Sequence, residues 1–152
     1  MSLTNVKFMK IALNEAKKAL NNDEVPIGAV IVKDGEVIAK SYNKRNKKCI
    51  ATAHAEINAI NTACKKLGDW RLDGCDIYVT LEPCPMCAGA ILNSRIRKVY
   101  FGAYEQKSGA VLSNYKILFG NSLNHNAEVE GGVLEEECSK ILKDFFKSKR
   151  NA

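Results

Sequence analysis

His54-Ala55-Glu56 and Pro83-Cys84-Pro85-Met86-Cys87 hold the residue types and spacings in this chain that could do chemistry. Cys84 and Cys87 stand three apart, so a helix beginning near Pro85 turns both sulfurs toward one centre from its first turn. One imidazole, His54, completes three protein ligands for zinc. A catalytic zinc site leaves its fourth tetrahedral position to water, whereas a structural site closes it with a side chain, so three ligands point to catalysis. Both runs are expected at helix N-termini, where free amides and the helix dipole stabilise thiolates. The water needs a base to take its proton, and a departing group needs an acid. Glu56, in the same first turn as His54, suits both roles. A lone His opening a helix is commonly a cap, and a lone Cys-x-x-Cys commonly a redox pair; their joint occurrence argues for zinc. Cys64 and Cys138 fit apolar stripes and Cys49 and Cys75 fall in expected loops, so these four read as structural. His125 is a weaker candidate for the metal site.

The elements that must position these residues follow from periodicity. Val6, Met9, Leu13, Ala16 and Leu20 step by three and four, which predicts an amphipathic opening helix. Residues 25–32 and 36–42 are strand-like and flank Asp34-Gly35, a hairpin signal, so two antiparallel strands are expected. A polar loop over 43–50 carries Lys44, Arg45, Lys47 and Lys48 and leads to Thr52, a predicted N-cap. The next helix is expected to bury Ile57, Ile60, Cys64 and Leu67. Strands are predicted over 76–81 and 98–101, with a short helix over 83–93 between them, an alternation that implies parallel pairing. A helix over 111–119, a short strand near Glu128 and a last helix with Leu134, Cys138, Ile141 and Phe145 inward complete a layered α/β domain with a mixed sheet.

Bulk properties bound the function. The 152 residues suit one domain, and 46% hydrophobic with 26% charged residues is a globular composition with no stretch of membrane-span length. The first twenty residues space their apolar side chains and show no cleavage pattern, so a cytoplasmic chain with reduced cysteines is expected. The net charge of +6 favours a polyanionic partner without identifying one.

The His-x-Glu and Pro-Cys-x-x-Cys runs resemble those of the zinc-dependent deaminases. The longer runs Thr52-Ala-His-Ala-Glu56 and Thr80-Leu-Glu-Pro-Cys-Pro-Met-Cys-Ala-Gly-Ala90, continuing through Ser94-Arg95-Ile96 to Phe101-Gly102-Ala103, are similar to the bacterial tRNA adenosine deaminases over nearly the whole chain. The resemblance implies a cytidine-deaminase-like α/β/α domain over residues 1–152, with helices around a mixed five-stranded sheet. It also implies a homodimer with one Zn2+ per subunit, no organic cofactor, and conversion of the wobble adenosine of an arginine tRNA to inosine in the anticodon loop. Residue by residue it puts zinc on His54, Cys84 and Cys87, the proton shuttle on Glu56 and a base-contacting amide on Asn43. Glu105, Lys107, Ser108, Asn124 and Phe146 match positions near the RNA. Ala51 stands where the family usually has proline, and Glu105 where it commonly has aspartate.

Two rivals stay open at the sequence level. The same centre could deaminate a free base or nucleoside such as guanine or cytosine. A non-catalytic RNA-binding module would instead use the metal to hold its fold, and requires a closed fourth position. The basic loop and the terminal Phe145-Phe146-Lys147-Ser148-Lys149-Arg150 favour RNA, since aromatics stack on unpaired bases and cations meet phosphates.

Overall fold

The computed structural model describes residues 2–119 and 125–151. Ser2 caps the opening helix α1, Leu3–Leu20, by accepting a hydrogen bond from the Asn5 amide at 3.3 Å. Its buried face is Phe8, Met9, Ala12, Leu13, Ala16 and Ala19, while Leu20 is exposed. Met9, Leu13 and Ala16 of the predicted stripe are thus buried, Val6 is half-buried, and Ala12 and Ala19 join the face in place of Leu20, letting the helix lie close to the sheet.

Strand β1, Gly28–Lys33, begins later than predicted because Pro26 has no N–H to give a ladder. It pairs antiparallel with β2, Glu36–Tyr42, through a turn in which Asp34 and Gly35 both take positive φ, 51° and 78°. Two consecutive positive values are what a type I′ hairpin requires and what Asp-Gly tolerates. A one-turn helix α2, Arg45–Lys48, interrupts the expected polar loop. Helix α3, Ala55–Leu67, follows, with His54 rather than Thr52 as its N-cap. Ala55, Glu56, Ala59, Ile60 and Ala63 are buried; Leu67 is exposed and Cys64 half-buried, so alanines again make the contact.

Strand β3, Cys75–Leu81, runs into helix α4, Pro85–Asn93, and β4, Lys98–Ala103, returns parallel to β3. Cys75, expected in a loop, is buried as the first residue of β3. A short strand β5, Glu128–Glu130, pairs parallel with β4, and helix α5, Glu135–Arg150, closes the chain. The sheet order is β2-β1-β3-β4-β5, a mixed five-stranded sheet. The predicted helix over 111–119 is replaced by turns and a single 3-10 turn, Ile117–Phe119: the amides of Tyr115 and Ile117 donate to the carbonyls of Gly109 and Ala110 and not to those of Val111 and Ser113, as a helix would require.

Alternation along the central strands divides the core. Ala29, Ile31, Ile77, Val79, Val99 and Phe101 pack under α3 and α4. Val30, Val32, Tyr78 and Tyr100 pack under α1 and α5, where the two tyrosine rings stack at 4.4 Å. Helices thus cover both faces, and β1, β3 and β4 read as nearly continuous apolar runs. Ile77 sits fully buried in the middle strand. Ile77→Ala is expected to cost about 3 kcal/mol by transfer and cavity terms, lowering Tm by about 6–12 °C for a chain of this length, as read in a thermal melt. Among the described residues no helix is long and apolar enough to cross a membrane.

Candidate active site and metal centre

Helices α3 and α4 begin at one place. His54 is the N-cap of α3 and Cys84 the N-cap of α4; neither side chain caps its own helix, so both are free for another partner. Pro85 occupies the first turn of α4, where its missing N–H costs nothing, and Cys87 follows in that turn. The result brings His54 Nδ1 to 3.7 Å from Cys84 Sγ and 3.5 Å from Cys87 Sγ. Tetrahedral zinc with ordinary bond lengths would set a nitrogen and a sulfur about 3.6 Å apart, so the donor set fits that ion without rearrangement. Among the described residues these three form the group of ligand-type side chains whose atoms lie within 4.8 Å of one another. His125 is not in it: its Nε2 lies 2.8 Å from the Ile96 carbonyl.

The electrostatics match a site built to exchange protons for a cation. The Cys87 thiol donates to Cys84 and, with His54 also donating, draws the Cys84 thiol down to about 4. Cys87 is held far up by being that donor and by burial. His54 is raised by its bond to Cys84, against the opposing effect of burial, with Glu56 and Cys84 adding negative charge. A divalent ion would displace these protons. Burial pushes the Glu56 carboxyl up to about 7; the Cys84 thiolate adds to the rise, while its own amide, His54 and the Cys87 thiol oppose it.

Above these groups opens a cleft of about 370 Å³. Its walls include Asn43, Glu56, Glu105, Ser108 and Phe146, together with His54 and Cys84, so most of the residues singled out in the sequence meet here. Lys107 does not line it; its amide donates to the Glu105 carboxylate at 3.0 Å. Asn124 lies outside the described residues. Asn43 is buried, donating from Nδ2 to the Val25 carbonyl and accepting from the Arg45 amide, both at 3.3 Å. An amide has two N–H groups and two acceptor lone pairs, so one of each remains for a ligand.

Two further carboxylates shape the rim and were not found in the sequence. Glu24, 1% exposed, accepts from the amides of Asn46 and Lys47 at 2.7 and 3.2 Å and so holds the basic turn α2. Glu82, 2% exposed, accepts from the amides of Glu105, Val111, Leu112 and Ser113 and from the Ser113 hydroxyl. Burial alone would raise its pKa, yet these donors together hold the carboxyl below the usual range. The signal in the sequence is slight: a single acidic residue closing an apolar strand just before Pro83.

The chain is similar to several known proteins. The model of the MafB19-like deaminase family matches residues 4–150. A tRNA-specific adenosine deaminase of Bacillus subtilis (strain 168) is 52% identical over 143 residues, 94% of this chain and 89% of that protein. A solved structure from studies of A-to-I editing by tRNA:A34 deaminases superposes with a TM-score of 0.87 at 50% identity, covering 90% of this chain and 99% of the other. Guanine deaminase from Bacillus subtilis is more distant, at 33% identity and a TM-score of 0.64, with 100% and 96% of the two chains covered. With the fold and about half of all residues shared over nearly its full length, the chain belongs to the MafB19-like deaminase family, among the tRNA-specific adenosine deaminases.

Proposed function

We propose that this chain removes the 6-amino group of the wobble adenosine of a tRNA, an arginine tRNA, leaving inosine. One zinc ion per subunit would be held by His54, Cys84 and Cys87, and Glu56 would carry the protons. The observation that carries this reading is the convergence of His54, Cys84 and Cys87 beside a cleft that His54, Cys84 and the buried carboxyl of Glu56 line. The names of the half-identical relatives support the substrate. Zinc supplies a Lewis acid that makes deprotonation of a water accessible at neutral pH. Glu56 takes one proton from the water attacking C6 and delivers it to N1. It then moves the proton of the new C6 hydroxyl to the amino nitrogen, the C–N bond breaks, and ammonia leaves.

Asn43 offers its remaining N–H and lone pair to the base edge, while Glu105, Ser108 and Phe146 meet the base and its neighbours; Lys107, and Asn124 outside the described residues, are assigned to the RNA as well. The same reading takes residues 1–152 as one deaminase domain and the working form as a cytoplasmic homodimer. Incubating the purified protein with an anticodon stem-loop and, separately, with free adenosine decides it: inosine is expected from the first and not the second. Deamination of a free base is the second reading, favoured by the likeness to guanine deaminase, and guanine converted to xanthine with no inosine in RNA would replace the first.

Binding to the stem-loop should also depend on salt. Arg45 and Lys143 line the cleft, and Lys44 and Lys47, next to Arg45 in the chain or two residues on, lie over the Tyr42 ring, whereas Lys149 is paired with Asp23. Neutralising about three or four phosphates predicts a slope of log affinity against log salt of about −2 to −3, measured by titration. A flat response would argue for a small neutral substrate.

A further inference from the structure

The segment over 104–113 forms one wall of the cleft through Tyr104, Glu105 and Ser108, yet it contains no helix or strand to satisfy its own amides. Four of those amides go to Glu82, the residue just past the end of β3. Glu105 donates to Glu82 Oε1 at 3.1 Å, and Val111, Leu112 and Ser113 donate to Oε2 at 3.2, 2.7 and 2.8 Å. The Ser113 hydroxyl adds a fifth bond to Oε1. A carboxylate accepts at about four lone-pair sites, so Glu82 is fully used by one segment. The next residue continues the seam, with the Pro83 carbonyl accepting from the Ala110 amide at 2.8 Å. Packing is equally close: a Cβ on Gly109 would fall inside contact distance of the Glu82 carboxyl and the Glu105 carbonyl. Glu82 and Pro83 in turn lead directly into Cys84.

We propose that Glu82 is a positioning residue that pins the 104–113 wall to the strand end carrying the cysteines, setting how tightly substrate is held rather than how fast it reacts. The inference rests on the deaminase reading above for its kinetic part. His54, Glu56, Cys84 and Cys87 belong to α3 and α4 or their caps. The alanines and Ile60, Ile91 and Leu92 of those helices pack mainly on sheet residues Ala29, Ile31, Ile77, Val79 and Phe101, with Ala110 and Val111 the only wall residues in that cluster among the described residues. Of the cleft-lining residues, Glu105 and Ser108 lie between the amides that Glu82 holds, whereas Tyr104 is also placed by its edge-on contact with Phe101 at 4.9 Å. A carboxylate that merely supported the fold would lower kcat, metal content and stability together.

Glu82→Gln keeps the shape but turns an NH2 group against amide donors. It is expected to raise KM for the anticodon stem-loop about tenfold with kcat within about twofold and zinc per chain unchanged. Backbone amides over 105–113 should exchange with solvent at least about tenfold faster while those of α3 and α4 do not. Gly109→Ala, which pushes the segment off the carboxyl without altering it, should reproduce both effects and decides the matter should Glu82→Gln fail to fold. Unchanged exchange over 105–113, or a fall in kcat at constant KM, would overturn the proposal. Should the wild type make no inosine in the stem-loop, the deaminase reading falls by itself, and the exchange measurement still decides whether Glu82 holds the wall.

Discussion

Replacing Glu56 by alanine is expected to lower turnover of the stem-loop by about 10³- to 10⁴-fold, near the upper end of what positioned acid–base catalysis contributes, while zinc stays bound. The separation of the two effects follows from the geometry. Glu56 lies in the first turn of α3, two residues beyond His54, and its carboxyl reaches the cleft floor without joining the group formed by His54, Cys84 and Cys87. Removing it therefore takes away the proton carrier and none of the proposed ligands. Both proton movements, from water to N1 and from the C6 hydroxyl to the leaving nitrogen, would lose their carrier at once. Bulk water reaches a side chain only 5% exposed poorly, so it would be a weak substitute. Metal analysis on the same preparation used for the inosine assay gives the check. Normal turnover in Glu56→Ala would remove this residue from the mechanism, whatever its position.

The contrast between what was legible in the sequence and what was not has a physical basis in range. His54, Cys84 and Cys87 could be read because their relation is local: each sits at the start of a helix whose beginning is written in adjacent residues, Pro85 above all. The hairpin was legible for the same reason, since Asp34-Gly35 sets its own φ values. Helix faces were read less well. Counting large apolar residues placed Leu20 and Leu67 inward, but a helix that lies close on a sheet touches it through small side chains, as Ala12, Ala16, Ala59 and Ala63 do here. The segment over 111–119 failed for a longer-range reason. Its apolar spacing suits a helix, yet the Tyr115 and Ile117 amides turn back to the carbonyls of Gly109 and Ala110, while Glu82, 29 residues before Val111, gathers the amides of 111–113. Glu24 carries no motif and Glu82 is one residue within a longer family run, and only the fold tells that both face backbone rather than water.

A second large effect is expected from Cys87→Ala, which tests whether the metal serves chemistry or the fold. Cys87 is fully buried in the first turn of α4, and its sulfur is one of three donors that converge. With two donors left, affinity for a divalent ion drops steeply, because metal binding at such sites is the sum of few strong bonds. Zinc per chain should fall from about one to near zero after dialysis, and inosine formation by more than about 10³-fold, since water is then no more acidic than in bulk. The fold should survive. The buried clusters on the two sheet faces, with Ile31, Ile77, Val79 and Phe101 on one and Met9, Val30 and Tyr78 on the other, span the molecule independently of the three donors. Far-ultraviolet circular dichroism of the metal-free variant at 25 °C should therefore match the wild type. A zinc-structured module predicts the opposite, a chain that unfolds with loss of the ion. Retained zinc with retained activity in Cys87→Ala would exclude the sulfur from the centre altogether.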